Sequence, residues 1–544
     1  MRPHLIESNA ARRLLVIGMV AVVQAMPAAA QSPLTVDAAF KLRTIADAAI
    51  SPDGKWVAYV LERKDLTTNS RSSHIWLVSA TGESRRQLTS GDHNDGEPTW
   101  APNSEELAFS SDRDGGSRIW RIRVDGGEAR AVTVPRWSAT RPRWSPDGSR
   151  IAFLSADPLS EAEQLQEKRH QNDQKMVDSI PRPVRLWVVA ADGSGDPLRL
   201  TSGTRQVNDF VWDPSATTAP RLAAMTSPGS GEFEGMVDTH ISVIPADGAA
   251  PRDLPIERAW SFASLSWSPD GRYVGYSCSY CALKLGEGRI SIIDVSAGTR
   301  RTLPTEGDYG LSGYTWAGGN VIVVNTVSGV TGRLLRYDVG ANRLTPLSGD
   351  GEQLFRSMSS DATGAHLAYI ARDAYNPGDV FVTTVASYAP QRLSEANPEL
   401  AGIRLGKTET VTWKGADGWP MDGVLVRPAN YEDGKRYPTI VYIHGGPSGV
   451  NTKSFDPFWQ LMAARGYAVF APNPRGGTGH GDKFYAANFK DFGGKDYQDI
   501  MLGVDRVIAL GVADSARLGV WGWSYGGYMT YWVVTQTNRF KGAV

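Results

Sequence analysis

The sequence predicts a seven-bladed β-propeller followed by a domain built on a parallel α/β sheet. A turn signature based on Ser-Pro-Asp-Gly occurs seven times, in intact or degraded form, before residue 400. Beyond it, continuous apolar runs typical of strands buried on both faces alternate with helix-forming segments. The last of these runs leads directly into Gly-Trp-Ser-Tyr-Gly-Gly, residues Gly522–Gly527, a pattern typical of a sharp turn between a strand and a helix.

The composition indicates a globular chain with a large core. Of 544 residues, 41% are hydrophobic and 21% are charged, and 57 basic residues balance 58 acidic ones. A net charge of −1 creates no general attraction to nucleic acid or to an anionic membrane, so neither is an expected partner. The two cysteines exclude a disulfide scaffold and a four-cysteine zinc site. We expect no cofactor and no metal ion.

Residues 1–30 have the three-part pattern of a secretory signal peptide. Basic residues precede an apolar run, Leu14–Val23, and three alanines then offer a cleavage site near Ala30 and Gln31. The apolar run is too short to span a bilayer comfortably, so no stable membrane insertion is expected. The pattern therefore predicts a mature chain exported to the periplasm or secreted.

Residues 31–400 are predicted to form the propeller. Each repeat has a bulky apolar residue, a turn and an alternating strand, and successive repeats begin 42 to 68 residues apart. The leading residues are Ile50, Trp100, Trp144, Trp212, Trp267, Trp316 and Met358. Proline presets φ, aspartate bonds its own backbone and glycine accepts a positive φ, so the tetrapeptide reverses the chain. Seven repeats predict seven blades, whose tryptophans serve mainly in packing.

The longest interval contains a polar insertion from Asp157 to about Val184. Its acidic residues Glu161, Glu163 and Glu167 lie near basic ones, which predicts a helix. Two interpretations stay open: a solvated surface helix, or an acidic wall that binds the free amino terminus of a substrate.

Cys278 and Cys281 are separated by two residues at the end of a predicted strand. Export would permit a disulfide between them. The position favours a small structural loop or two unreactive thiols over a redox-active motif, which opens a helix after a strand.

Residues 401–544 are predicted to form the α/β domain. Two strands surround a turn at Asp417 and Gly418, and three buried strands follow. The buried strands are Thr439–Ile443, Tyr467–Ala471 and Arg517–Trp521. Between the last two, an amphipathic helix places Ile500, Val504, Val507 and Ile508 on one face.

Ser524 is the predicted nucleophile, because the Gly-x-Ser-x-Gly turn raises the serine hydroxyl above the sheet. The backbone N–H of Tyr525 is one expected oxyanion donor, and Gly445 or Gly446 supplies the second. His444 precedes the nucleophile, so we expect it to be a turn residue and not the general base.

The 20 residues after Ser524 contain no Asp, Glu or His. A Ser-Asp-His order cannot be completed within them, and the chain stops at what resembles the start of another strand. We therefore expect a fragment, cut within the sheet after the nucleophile motif. We also expect these 544 residues alone to have no peptidase activity.

Four segments together resemble the prolyl oligopeptidase family of serine peptidases, in its dipeptidyl peptidase IV and acylaminoacyl-peptidase branches. The segments are Tyr437–Gly446, Asn473–Gly479, Asp514–Arg517 and Gly522–Gly527. The resemblance implies an α/β-hydrolase domain, capped by the propeller, that cleaves short peptides through an acyl-enzyme on Ser524. It also implies that the triad Asp and His follow the nucleophile in the chain.

The leading functional hypothesis is therefore an exported serine peptidase, in particular a dipeptidyl- or acylaminoacyl-type exopeptidase. An esterase or other acyl hydrolase would use the same serine turn. A non-catalytic binding propeller would explain residues 34–400 but would leave that turn without a purpose.

Overall fold

The computed structural model describes residues 31–160, 163, 165, 182–228, 238–305, 307, 309–349 and 351–544. The predicted signal peptide, residues 1–30, lies outside the described residues. Within the described ranges, no helix combines the length and the apolar character needed to cross a bilayer.

Seven antiparallel sheets of four strands each form the blades of the predicted propeller. Blade 1 contains Thr44–Ile50, Trp56–Asp65, Ser70–Ser79 and Arg85–Gln87, and blade 2 contains Asp95–Trp100, Glu106–Ser111, Arg118–Arg123 and Arg130–Ala131. Blade 3 contains Thr140–Trp144, Arg150–Ala156, Val184–Ala190 and Leu198–Arg199, and blade 4 contains Arg205–Trp212, Arg221–Pro228, His240–Pro245 and Arg252–Asp253. Those of blades 5 to 7 are Ser261–Trp267, Tyr273–Ser279, Arg289–Asp294 and Thr299–Thr302; Leu311–Trp316, Val321–Ser328, Thr331–Asp338 and Arg343–Pro346; and Leu354–Ser360, His366–Arg372, Asp379–Thr384 and Gln391–Arg392. Each blade is thus one continuous segment of the chain.

The repeated turn joins the first strand of a blade to the second, as predicted. In blade 1 the Ser51 hydroxyl donates to Asp53 Oδ1 over 2.6 Å and accepts the Trp56 N–H over 3.0 Å. Gly54 has a φ of +72°, which a residue with a side chain rarely adopts. The hydroxyl and carboxylate therefore bond the turn's own backbone, and the next strand begins at once.

The tryptophans that lead the repeats are packing residues, as predicted. Trp100, Trp144, Trp212 and Trp316 are all buried. Trp100 Nε1 donates to the Ala49 carbonyl of blade 1 over 2.9 Å, and the next two make the equivalent bond to the blade before their own. Each indole thus ties its blade to the preceding one.

Side-chain packing between blades 1 and 7 closes the ring. Ile45, Val57 and Tyr59 of blade 1 share one buried cluster with Ile370 and Val382 of blade 7. The Ile50 N–H also donates to the Ser359 hydroxyl over 2.9 Å. Among the residues that the structure describes, each of these two sheets contains only its own four strands, so the blades exchange no strand there.

The C-terminal domain has a six-stranded sheet in the described residues. In spatial order its strands are Thr408–Lys414, Pro420–Val426, Ala468–Asn473, Tyr437–Ile443, Ala513–Gly522 and Phe540–Ala543. The first three pair antiparallel, and the last four run parallel to one another. The described α-helices of the chain are Val36–Phe40, Pro457–Ala464, Asp482–Tyr485, Lys495–Ala509 and Tyr525–Gln536. Short 3₁₀ turns occur at Cys281–Leu283, Pro398–Gly402, Ala416–Gly418 and Ala486–Asn488, and a short parallel pair joins Ser32–Pro33 to Ile403–Arg404.

The predicted face of the long helix is the buried one. Ile500, Val504 and Val507 pack under the sheet, and Ile508 lies at the edge of the same cluster. A buried ion pair fixes the helix to the loop after Ala468–Asn473, because Arg475 Nε donates to Asp499 Oδ2 over 2.7 Å. This packing supports the central strands from below.

Candidate active site

Ser524 lies in the sharp turn between the strand Ala513–Gly522 and the helix Tyr525–Gln536. Its backbone has φ +57° and ψ −121°, a conformation that costs an ordinary residue energy and persists only where the surroundings enforce it. The residue is exposed, and its hydroxyl makes no hydrogen bond within the described residues. The turn therefore presents a free hydroxyl above the sheet.

The glycines on both sides of Ser524 permit this turn. A Cβ on Gly522 would lie 2.3 Å from the Gly526 carbonyl oxygen, and one on Gly526 would lie 2.0 Å from the Ile443 carbonyl oxygen. Both contacts involve backbone atoms, which cannot swing away. The turn can form only where these two positions lack side chains.

We expect Gly526→Ala to lower the stability of the domain by at least about 2–3 kcal/mol, because the strand Tyr437–Ile443 must shift to admit the methyl group. The shift would also displace the Ser524 turn and slow its covalent labelling. Urea denaturation followed by tryptophan fluorescence measures the first effect. Gly527→Ala is the matched control, since its Cβ would lie 3.6 Å from the nearest atom, in ordinary contact. Equal midpoints for the two variants would contradict the steric argument.

The surroundings of Ser524 contain the predicted oxyanion donors. Tyr525 is the first residue of its helix, so its N–H is among those without an intrahelical acceptor. On the other side, a Cβ on Gly445 would lie 3.4 Å from Ser524 Cβ and 3.9 Å from its Oγ. Gly446 follows with φ +124°, and the chain turns there towards Gly449. The helix N-terminus and this loop thus border the same small space above the hydroxyl.

The Tyr525 side chain fixes the start of that helix. The ring is buried and its hydroxyl donates to Asp496 Oδ2. Burial, with the Asp496 carboxylate beside it, raises the pKa of the Tyr525 phenol well above its usual range. Burial also raises the pKa of Asp496. Asp496 precedes Tyr525 by 29 positions, and no local pattern in the sequence marks the contact between them.

His444 is not placed to serve as a base, as expected from chain order. Its ring is buried, and Nδ1 lies 2.9 Å from the Gly445 carbonyl oxygen, to which it donates. Burial lowers the pKa of His444, so the imidazole is neutral near pH 7. Its function is to support the Gly445–Gly446 turn from inside.

His480, in the loop after the strand Ala468–Asn473, contacts Asp422 in the strand Pro420–Val426. Nε2 lies 2.9 Å from Asp422 Oδ2, and the ring stacks on Phe484 at 4.5 Å. Burial opposes the charged form, but the Asp422 carboxylate outweighs it and raises the pKa of His480. Both described histidines of this domain are therefore engaged in structural contacts.

Glu287 of blade 5 joins the propeller to the C-terminal domain. Its buried Oε1 accepts the backbone N–H groups of Gly479, His480 and Gly481 over 3.0, 3.1 and 2.7 Å. Its Oε2 accepts the N–H of Gly310, in the connection between blades 5 and 6. One carboxylate thus bonds four amides from two domains.

A second contact runs in the opposite direction across the same junction. Asp482 Oδ1 accepts the Glu287 N–H over 2.9 Å, and Oδ2 accepts from Arg289 over 2.5 Å. Connections between the second and third strands of blades 6 and 7 also contact the domain, since the Gly329 N–H donates to Gly479 and the Phe455 N–H donates to Asp373. This face of the propeller therefore carries the α/β domain.

The polar insertion arises from the equivalent connection in blade 3. Of the three predicted substrate-binding acids, Glu161 and Glu167 lie outside the described residues. Glu163 accepts the N–H and the hydroxyl of Ser160 over 2.8 and 2.6 Å and pairs with Arg182. Its carboxylate is engaged at the base of the insertion.

An apolar cavity of about 610 Å³ lies between blade 5 and the C-terminal domain. Blade 5 contributes Trp260, Leu283 and Leu285, and the domain contributes Phe489 and Phe492. These side chains are between 38% and 56% exposed, which is unusual for so many large apolar groups together. Such a surface is typical of a ligand site.

The cavity lies next to the serine turn. The Phe492 ring, which lines it, packs edge-on against the Tyr525 ring at 5.4 Å, and Tyr525 follows Ser524 directly. Pro447, which follows the Gly445–Gly446 loop, also lines the cavity. A carbonyl group over the serine would therefore have the cavity beside it.

The wall from blade 5 is held by a disulfide between Cys278 and Cys281, the alternative that the sequence had left open. Tyr280 lies between the two cysteines and meets Tyr485 of the C-terminal domain at 5.8 Å, ring edge to ring face. The disulfide loop thus brings an aromatic residue of the propeller against the domain that carries Ser524.

Known proteins resemble both domains of the chain. Residues 453–544 match the model described as the prolyl oligopeptidase family, and residues 24–179 match the TolB β-propeller domain. A peptidase of Bacillus subtilis named YuxL is 29% identical over 550 residues, 94% of this chain and 81% of the relative. Dipeptidyl-peptidase 5 of Porphyromonas gingivalis is 25% identical over 560 residues, 96% of this chain and 80% of the relative.

Solved structures share the fold. The acylaminoacyl peptidase of Pyrococcus horikoshii superimposes with a TM-score of 0.75 at 21% identity, covering 92% of this chain and 77% of that one. A puromycin-hydrolysing peptidase of Mycobacterium tuberculosis gives 0.70 at 19% identity, with coverages of 95% and 79%. The predicted fold class, a seven-bladed propeller with an α/β-hydrolase domain, is confirmed.

Proposed function

Since the chain belongs to the prolyl oligopeptidase family of serine peptidases, we propose that it hydrolyses short peptides through an acyl-enzyme on Ser524. The observation that carries the proposal is the strained Ser524 turn, with the Tyr525 helix N-terminus on one side and Gly445 on the other. Backbone strain of this kind occurs mainly at functional sites, so at an exposed serine it supports a catalytic role.

In the proposed reaction the Ser524 oxygen attacks the carbonyl carbon of the substrate, and the carbonyl electrons move onto its oxygen. The N–H of Tyr525 and that of Gly445 or Gly446 stabilise the resulting oxyanion. The tetrahedral intermediate collapses, the amine leaves with a proton, and an ester on Ser524 remains. Water then hydrolyses the ester and regenerates the hydroxyl.

A serine hydroxyl needs a base to attack at neutral pH. His444 faces its own loop and His480 pairs with Asp422, so we propose neither as that base. Each ring is already engaged in another contact within the described residues, and for this reason we assign the base to neither.

We propose that the apolar cavity receives a large apolar side chain of the substrate next to the scissile bond. The cavity opens beside the Ser524 turn, and its walls come from both domains, so a bound peptide contacts the propeller as well as the hydrolase. The relatives named dipeptidyl- and acylaminoacyl-peptidases support an exopeptidase that removes short amino-terminal units. The amino-terminal pattern supports export of the mature enzyme.

The test is made on the full-length protein. We expect a fluorophosphonate to label Ser524 stoichiometrically. Among chromogenic dipeptidyl, acyl-aminoacyl and simple ester substrates, we expect a peptide-type substrate to have the highest kcat/KM. Labelling elsewhere, or turnover of esters alone, would refute the proposal.

A substitution in the cavity tests its part in selectivity. Phe489→Ala removes apolar contact worth about 1.5–3 kcal/mol for a side chain of phenylalanine size. We expect kcat/KM to fall about 10- to 100-fold for a substrate with phenylalanine beside the scissile bond and to change little for the alanine analogue. Phe40→Ala is the control, since Phe40 is 43% exposed and lies outside the cavity. Equal losses for both substrates would contradict the assignment.

A further inference from the structure

A second cluster of chemically capable side chains lies in the propeller, at the junction of blades 1 and 2. His74 belongs to the third strand of blade 1, His93 to the connection between the blades, and Asp95 to the first residue of blade 2. One ligand atom from each lies within 4.8 Å of the other two. Neither the propeller packing nor the proposed peptidase reaction uses these residues.

We propose that His74, His93 and Asp95 bind a divalent transition-metal ion, such as Zn²⁺, through two imidazole nitrogens and one carboxylate oxygen. His74 Nδ1 and His93 Nε2 each lie 3.3 Å from Asp95 Oδ2. Two ligands at ordinary zinc distances in a tetrahedral site are separated by about 3.3 Å. The two distances to Asp95 Oδ2 thus match that of ligands around one ion, and the two nitrogens lie within 4.8 Å of each other.

The direction of the His93 ring supports a metal over a hydrogen bond. His93 Nε2 is buried and makes no hydrogen bond in the part of the chain that the structure describes, although Asp95 Oδ2 is 3.3 Å away. The nitrogen therefore lies near the oxygen without aiming at it. The same oxygen is already within hydrogen-bond distance of His74 Nδ1, so His93 Nε2 is the ligand atom of the cluster that a metal ion would satisfy.

The residues around the cluster hold two of its ligands in place. Arg113 donates to Asp95 Oδ1 over 2.8 Å and lies over the Trp120 ring at 4.8 Å, which leaves Oδ2 to face the imidazoles. Gly91 has φ +130°, and a Cβ there would lie 2.4 Å from His93 Cε1, so its backbone packs directly against the ring. Such support is typical of metal ligands.

The cluster lies just beneath the surface of the propeller. The side chains of His74 and His93 are 12% and 17% exposed, whereas Asp95 is fully buried. Two imidazole nitrogens and one carboxylate oxygen form a donor set suited to Zn²⁺ and related ions. Because the ligands come from two blades, the ion would join those blades on the propeller face that carries the C-terminal domain.

The sequence analysis predicted no metal. His74 and His93 are 19 positions apart, and only the fold brings them together. The local sign of a metal site in the sequence is the spacing of His93 and Asp95, which are separated by one residue.

The full chain is first treated with a chelator and freed of any affinity tag. It is then titrated with ZnCl₂ in a calorimeter and with Co²⁺ in a spectrophotometer. We expect one equivalent to bind, with the visible absorption of four-coordinate Co²⁺. His74→Gln and His93→Gln each remove a direct ligand. Loss of a supporting contact lowers metal affinity about 10- to 100-fold, and loss of a ligand should lower it further. We therefore expect each to weaken binding more than about 100-fold.

His366→Gln is the matched control. His366 Nδ1 lies 2.7 Å from the buried Asp361 of blade 7, so it has the same pairing without a second histidine. We expect this variant to bind the ion as the parent does. Zn²⁺ should raise the melting temperature of the parent and of His366→Gln but not that of His93→Gln. In the presence of chelator, the melting temperature of His93→Gln should equal that of the parent. Absence of binding in the parent, or unchanged binding in both ligand variants, would overturn the proposal.

Discussion

Ser524→Ala is expected to lower kcat by about 10⁴-fold or more in the full-length protein, because the alanine methyl group cannot form the acyl-enzyme. Folding should be unaffected, since the hydroxyl is exposed and makes no hydrogen bond within the described residues. Steady-state hydrolysis of the best peptide substrate measures the first expectation, and thermal denaturation measures the second.

Ser515→Ala is the control for this experiment. Ser515 is exposed near the opposite end of the same strand, Ala513–Gly522, and should retain parental kcat and fluorophosphonate labelling when replaced. A Ser524→Ala enzyme with kcat near that of the parent would show that the nucleophile lies elsewhere.

Glu287→Ala is expected to have the largest effect on stability, about 4 kcal/mol. The substitution leaves four backbone N–H groups, from Gly310 and from Gly479–Gly481, without their acceptor in a buried junction. Each unsatisfied buried donor costs about 1–3 kcal/mol, and partial access of water reduces the sum. Urea denaturation, followed separately by near-ultraviolet dichroism and by activity, measures the loss.

Glu432→Ala is the control, because Glu432 pairs with Lys435 at the surface of the C-terminal domain, where the two side chains are 68% and 56% exposed. An exposed ion pair contributes at most about 1 kcal/mol. Similar losses for Glu432→Ala and Glu287→Ala would mean that burial of the Glu287 carboxylate does not govern the junction.

The repeat architecture could be predicted from sequence because its signals are local. The Ser51–Gly54 turn is shaped mainly by bonds among residues 51–56, so its form follows from adjacent residues. The start of the helix after Ser524, at Tyr525, is harder to predict. Gly526 and Gly527 weaken helix propensity there, and the close approach to Ile443, a tertiary contact, requires Gly526.

The site was predictable only where a motif marks it. Ser524 and the loop at Gly445 stand in recognisable patterns, and the structure brings them together. Their catalytic roles stay predictions. Glu287 bonds amides more than 190 positions away, and the cavity takes its walls from segments as distant as Trp260 and Phe492. No local pattern announces contacts between segments that meet only after both domains have folded.

The contiguity of each blade has a consequence for synthesis on the ribosome. A blade can form as soon as its own four strands have emerged, because it borrows no strand from a distant part of the chain. Blade 1, however, covers Ile45, Val57 and Tyr59 with side chains of blade 7, among them Val382. The first blade made must therefore keep an apolar flank exposed while more than 300 further residues are translated, and this flank is a natural surface for a chaperone to shield.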